Sequence, residues 1–430
     1  MTDAGAAPPP EEPRTSAVSA RATAVAVVLL TGMNLFNYID RAVLPAVIEK
    51  VKRDIPMSDT AQGVALTAFV WVYMVTAPVF GRLGDRYSRK RLIALGVGLW
   101  SIATAAAAFA TTLHGLIATR ALVGVGEAAY ATISPALIGD YYPRERRGKV
   151  MALFFLATPV GSALGYILGG SIAGAHSWHA AFLAVGVPGL LLALGALFLQ
   201  EPPRGQFDDA KPEPVPLRAV LPALRANREY LWVSFGWTAY TFAVGGLAQW
   251  MPAFLIRERA MDGAYANNLF GVITVVTGIA GTLVGSAIAE RLRGRVRHPY
   301  LLVMGVSTLA GTPFAVLAFM MRDPTALWSM LFIAEFLVFM GTGPTNTALV
   351  NCLPVSVRAT GLAVSIFLIH VLGDAISPTL IGRVSDATSL GFAVLLVPLA
   401  FAVAAAIWLV AQRRLPMLAH HDAVTPEPAP

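Results

Sequence analysis

The sequence predicts an all-α membrane protein, with twelve transmembrane helices in two six-helix bundles. Three observations support this. The 430 residues are 56% hydrophobic and only 13% charged, where a soluble chain carries about 25% charged residues. Twelve apolar runs each reach the length of about 20 helical residues that spans a bilayer. Basic residues collect in alternate connections between those runs, which is the positive-inside pattern.

The runs lie at 22–49, 60–81, 91–110, 115–139, 149–173 and 179–199, then at 230–255, 266–289, 299–320, 326–350, 360–382 and 391–411. Before the first lies a polar tail, 1–21, Pro-rich from Pro8 to Pro13 and expected to be disordered. The stretch from Ala22 to Ile39 is too long for a signal-peptide core and lacks a small-residue cleavage site, so it reads as a retained span. The first bundle covers 22–199, a polar Pro-rich linker covers 200–228, the second bundle covers 229–412 and a tail covers 413–430.

Orientation follows from lysine and arginine. With the N-terminus inside, 23 of the 32 fall in cytoplasmic segments and 7 in outer loops, while Arg41 and Arg120 lie within spans. Both termini are therefore expected in the cytoplasm. The net charge of +7 belongs to these clusters and not to a nucleic-acid-binding face. Cys352 is the one cysteine, which excludes an internal disulfide and a cysteine metal site. Arginine outnumbers lysine 27 to 5, a composition that points to a GC-rich bacterial genome and so to a bacterial inner membrane.

The two halves echo each other. The segment from Pro143 to Arg147 has a counterpart 211 residues later, from Pro354 to Arg358, and similar helical strings follow at Gly161 and Gly373. Two such repeats joined by a linker mark a transporter with its site at the repeat interface.

Ionisable residues within spans are costly, about 2.5–3.5 kcal/mol each on insertion scales, and mark candidate sites. Asp40 and Arg41 point about 100° apart on a helix. They cannot neutralise each other, so each has a separate partner or snorkels to the interface. Arg120 and Glu127 are seven residues apart and share a face, about 10 Å from each other. Gly124 and Gly126 thin that helix for another helix or a substrate. The pair is either a static ion pair or part of a binding cavity. In the second half, His370 stacks over Asp374 on one face, and Glu335 sits deep in the tenth run. The small-residue face from Thr158 to Gly170 reads as close helix packing.

GRLGDRYSRKR, from Gly81 to Arg91, joins the second and third runs. Gly81 and Gly84 permit a tight backbone, and Asp85 can cap a helix start or meet Arg89 or an arginine of the 144–147 cluster such as Arg146. Arg86 and its neighbours face anionic headgroups.

NYIDR at Asn37–Arg41, this GRLGDRYSRK loop, RALVGVGEAAY from Arg120, PVGSALGYILGG from Pro159 and EPPRG from Glu201 resemble the Spinster-like branch of the major facilitator superfamily. Ser88 stands where that superfamily usually has glycine. The resemblance implies a proton-linked transporter of lysolipids or sphingoid phospholipids, with Asp40, Arg41, Arg120 and Glu127 lining a central cavity. Under that reading Asn37, Tyr38, Arg41 and Arg120 contact substrate. Glu127, Asp40, His370, Asp374 and Glu335 couple protons, and Gly81, Gly84, Asp85, Arg86, Arg89 and Arg146 gate. The expected partners are an amphipathic anion, protons and membrane lipids; the chain is expected to be a monomer that needs no cofactor. No Gly-rich loop ending in Lys-Ser or Lys-Thr is present, so ATP is not the energy source. The alternatives are a proton symporter of small organic anions and, more distantly, an intramembrane lipid-modifying enzyme.

Overall fold

In a computed structural model, which describes residues 18–207 and 217–415, the chain is helical throughout its apolar runs. The first half contains α1 (Ala20–Asp54), α2 (Asp59–Arg86), α3 (Arg89–Ala107), α4 (Leu113–Tyr141), α5 (Arg144–Ala175) and α6 (Trp178–Leu197). A short helix, α7 (Leu217–Ala226), precedes α8 (Arg228–Arg257), α9 (Gly263–Leu292) and α10 (Pro299–Met320). The tenth run is two pieces, α11 (Pro324–Phe339) and α12 (Thr342–Asn351). The eleventh is α13 (Val355–Ile369), a π turn (His370–Asp374) and α14 (Ser377–Ala387); α15 (Leu390–Ala393) and α16 (Leu396–Arg414) form the last. Twelve described helical spans are long and apolar enough to cross a membrane. Residues 1–17 and 416–430 of the two tails and 208–216 of the linker lie outside the described residues.

Helix starts follow the capping rules. Ser19, Ser58, Thr112, Ser177, Asn227, Asp262 and Asp323 each accept from a backbone N–H of the first turn. Within the first half, α1 packs on α5, α2 on α4, and α3 on α4 and α6; in the second half α8 and α10 pack on α16 and α11 on α10. The internal repeat has a structural counterpart. Arg147 donates through Nε to the Tyr142 carbonyl, and Arg358, 211 residues on, donates to the Leu353 carbonyl in the same five-residue loop-back.

Small residues let backbones approach. A Cβ at Gly161 or Gly165 would lie 2.6 or 2.5 Å from carbonyl oxygens of α1, so the predicted packing face of α5 is filled by a helix. A Cβ at Gly124 would meet the Phe69 carbonyl at 2.2 Å, and one at Gly126 the Gly96 carbonyl at 2.4 Å. Those two glycines thin α4 for α2 and α3 and not for a ligand.

The halves meet most tightly in the part of the molecule remote from α1's start and α16's end. Arg257 of α8 donates to Glu49 (2.7 Å), to Asp59 (2.7 and 2.9 Å) and to Gln62 (2.6 Å), all in the first half. The Asp386 carboxylate accepts from the N–H groups of Asp59 and Thr60 at α2's first turn, where the helix dipole favours an anion. Ser385 donates to Asp59 at 2.6 Å. Between these, Asn267 donates to the Ala46 carbonyl (3.0 Å) and Tyr166 to the Ala248 carbonyl (2.7 Å), while within the second half Trp250 donates to the Pro378 carbonyl (3.0 Å). A Cβ on Gly63 would stand 2.5 Å from the Pro378 carbonyl and one on Gly382 2.2 Å from the Asp59 carbonyl, so the two bundles touch there backbone to backbone.

Candidate functional site

A cavity of about 230 Å³ lies between the halves, directly inside that closed layer. Its first-half wall includes Tyr38, Arg41, Thr67, Phe69, Tyr73, Ser162 and Tyr166; its second-half wall includes Thr241, Gln249, His370 and Asp374. Arg41 is a central feature of one side. Its guanidinium lies 5.0 Å from the Tyr38 ring, 5.1 Å from Phe69 and 5.7 Å from Tyr73, a cation held by aromatic faces. On the other side, His370 Nδ1 is 3.0 Å from both oxygens of Asp374, and its ring meets Tyr73 edge-on at 6.2 Å. The π turn shapes this pair: Ala375 N–H reaches back five residues to the His370 carbonyl at 3.1 Å. π turns are frequent at functional positions.

Behind the cavity wall lie two crossed ion pairs. Arg41 donates from Nε to one oxygen of Glu127 (2.9 Å), with Nη2 2.8 Å from the same oxygen, and Arg120 donates to Asp40 at 3.1 Å. Thr104 takes the second Asp40 oxygen at 2.6 Å. The separate partners expected for Asp40 and Arg41 are therefore Arg120 and Glu127. Asp40, Arg120 and Glu127 are at most 1% exposed, whereas the Arg41 side chain is 20% exposed toward the cavity. Of the four charged residues expected to line the cavity, the structure brings only Arg41 to its surface.

Three other expected positions lie elsewhere. Arg120 is engaged deep between α1, α3 and α4, out of reach of a ligand in this conformation. Asn37 is 2% exposed within the first bundle. Glu335 occupies a small apolar chamber of the second bundle, with Val338 and Phe401 in its wall, where Thr277 (3.0 Å) and Thr274 (3.3 Å) donate to it. Tyr73, Tyr166 and Gln249 were not singled out by the sequence. Polar residues inside spans are their signal, but such residues are too common to select these three.

The GRLGDRYSRK loop is also organised differently from expectation. Asp85 and Arg86 are exposed, as is Arg146. Arg89 turns inward and pairs with Asp140 at the end of α4, while its other nitrogen donates to the Pro202 carbonyl at 2.9 Å. Asp85 does not accept from Arg89, because Asp140 is the nearer buried acid. Gly84 allows the close approach of α4, with a Cβ there only 2.9 Å from Ile133; a Cβ at Gly81 would touch Thr132 at 3.4 Å. Glu201 straps the linker to this loop, accepting from the Ser88 hydroxyl and from the N–H groups of Arg89 and Lys90. Burial alone would raise the Glu201 pKa, but the Ser88 hydroxyl, those two N–H groups and the Arg89 charge hold it below the usual range. Ser88, unusual at its position, supplies one of these bonds.

The Major Facilitator Superfamily profile matches residues 30–378. The chain is 36% identical over 399 residues to Protein spinster homolog 3 of Danio rerio, covering 88% of this chain and 80% of that one. It is 38% identical over 397 residues to Protein spinster homolog 1 of Homo sapiens, covering 87% and 75%. The chain belongs to the Spinster-like branch of the major facilitator superfamily. It is thus a multi-pass membrane transporter of a non-enzymatic family. Its fold matches the crystal structure of a bacterial homologue of the human lysosomal transporter Spinster, in an inward-facing and unoccupied conformation, with a TM-score of 0.84 and 22% identity over 92% of this chain and 98% of that one. The nucleoside transporter NupG shares the fold at a TM-score of 0.70 and 13% identity, over 91% and 100%.

Proposed function

We propose that this transporter is proton-coupled and moves an amphipathic anion of lysolipid or sphingoid type by alternating access. The observation behind the proposal is the Arg41–Glu127 pair, in which a cavity-facing cation is held by a fully buried carboxylate. A proton on Glu127 cancels the charge that neutralises Arg41, and the released guanidinium can take a phosphate or carboxylate by a paired hydrogen bond. Asp40 and Arg120 keep each other neutral throughout and serve as the fixed scaffold of the pair. The His370–Asp374 pair stands across the cavity from Arg41.

In this reading both termini face the cytoplasm of a bacterial inner membrane, so the layer closed by Arg257 and Asp386 is the outer gate and the protein faces inward. The two bundles move as bodies on the linker, as a monomer. Asp85, free on the opposite face, becomes an inner-gate contact when that face closes. A lysolipid headgroup fits the cavity among Tyr38, Phe69 and Tyr166, and its chain then extends out between the bundles.

The cavity's modest volume also favours a second reading, symport of a small organic anion. Reconstituted protein tests both: uptake of a fluorescent lysophospholipid and of short carboxylates is followed with and without a pH gradient. Lysolipid uptake stimulated by the gradient supports the first reading. Gradient-driven carboxylate uptake that lysolipid does not inhibit supports the second and excludes the first.

A further inference from the structure

We propose that α1 and α4 enclose a water-mediated proton path inside the first bundle, running from Glu127 past Asn37 to Thr31 on the side of the termini. The inference rests on the proton-coupled reading of Glu127 and adds the route by which that residue exchanges its proton.

Glu127 is fully buried and is not part of the cavity wall; Arg41 stands between them. Arg41 Nε and Nη2 both approach one carboxylate oxygen, Oε2, and the other, Oε1, has no hydrogen-bond partner among the described residues. The charges around Glu127 are Arg41 and Asp40 from α1 and Arg120 from its own helix. An anion seated on Arg41 would therefore plug the direct route through the cavity. The unpaired oxygen needs another.

Further polar atoms without protein partners lie along α1. Asn37 Nδ2 is one, on a residue 2% exposed, and the hydroxyl of half-buried Thr31 is another. Thr31, Asn34, Asn37 and Arg41 are spaced by three, three and four residues, so each adjoins the next in a row that winds about 120° around α1 from Thr31 to Asn37. The two helices run antiparallel. Tyr130 donates to the Leu30 carbonyl at 2.5 Å, and the Arg41–Glu127 and Asp40–Arg120 pairs complete the register. That register sets Asn37 level with Glu127 and Thr31 level with Ser134, two turns beyond Glu127 on α4. Asn34, between them, donates to the Phe154 carbonyl of α5. Buried polar atoms that lack protein partners are characteristically satisfied by internal water. From Asn37 to Thr31 is six residues, about 9 Å along the axis, a gap that two or three waters bridge. Thr31 is partly exposed whereas Asn34 and Asn37 are buried, so the path ends at Thr31.

The test uses Thr31→Val, which keeps shape and removes the hydroxyl, with Thr31→Ser as the conservative partner and Glu127→Gln as control. In proteoliposomes, a fluorescent lysophospholipid is followed in gradient-driven uptake and in exchange at equal pH. Thr31→Val should slow gradient-driven uptake about tenfold, leave exchange within twofold, and be rescued by Thr31→Ser. Equal slowing of both activities, or no slowing of either, overturns the path. A Glu127→Gln protein that still concentrates the probe overturns the underlying reading of Glu127 as the proton carrier instead. Independently of any variant, a high-resolution map of the wild-type protein should show ordered water within hydrogen-bond reach of Glu127 Oε1 and Asn37 Nδ2; a dry, closed contact there also overturns the path.

Discussion

Arg257→Ala should open the closed layer between the bundles. Arg257 makes four hydrogen bonds to Glu49, Asp59 and Gln62, all of them across the bundle interface. A hydrogen bond to a charged group contributes about 1.5–3 kcal/mol when shielded. The Arg257, Glu49 and Asp59 side chains are 23%, 15% and 11% exposed, so about 1 kcal/mol per bond is a fair discount. Lys52 also reaches Asp59 and will relieve part of the loss. A net bias of about 3 kcal/mol remains, roughly a hundredfold change in the closed-to-open ratio. Conformers of a transporter differ by only a few kcal/mol, so this shift inverts the population. Spin labels at the exposed positions Arg53 and Ala387, in a background without Cys352, would report the separation of the two rims. The variant should show a new, longer distance as its main population. A distribution identical to the parent's would refute the assignment of this layer as a gate.

Three other outcomes follow from the site. Arg41→Lys should weaken substrate binding about tenfold despite keeping the charge, because the planar contacts with Tyr38, Phe69 and Tyr73 go with the guanidinium; titration of the purified variant with lysophospholipid checks this. His370→Ala should change the pH profile of transport, and an unchanged profile would reduce the His370–Asp374 pair to packing. Glu201 carries a lowered folded-state pKa, so the linker strap is at full strength above the unfolded value of about 4.3 and is lost as pH falls through the folded value. Protection of the Arg89 and Lys90 N–H groups from hydrogen exchange should therefore be lost only in acid, below the unfolded value, and Glu201→Gln should lack it already at neutral pH.

Much of this was legible in the sequence for plain reasons. Span length and the placement of arginines follow from bilayer thickness and leaflet charge, and they are readable without any tertiary contact. The 100° offset between Asp40 and Arg41 foretold two separate partners, and the structure supplies them. Helical spacing could not say which neighbour each face meets. It set Arg120 and Glu127 on one face but left open that both would reach across to α1, and so it credited Arg120 with a cavity position that Arg41 alone holds. Glu49, Asp59, Arg257 and Asp386, which join the two bundles, sit at run ends, where a charge reads only as topology until the bundles are docked. Asp140 escaped notice for the same reason, and its capture of Arg89 leaves Asp85 free. The separation of Glu335 from the cavity depends on how α9 and α11 pack, which no local pattern encodes.

The central claim is that the proton on Glu127 controls Arg41. Glu127→Gln removes the charge and keeps the shape, so the variant is fixed in the protonated arrangement. Purified and reconstituted with a fluorescent lysophospholipid inside and outside, it should exchange the probe across the membrane at a rate within a few-fold of the parent. It should fail to concentrate the probe when a pH gradient is imposed. Accumulation against the gradient by the Gln variant, at the parent's level, would contradict the claim and move the coupling to His370 and Asp374.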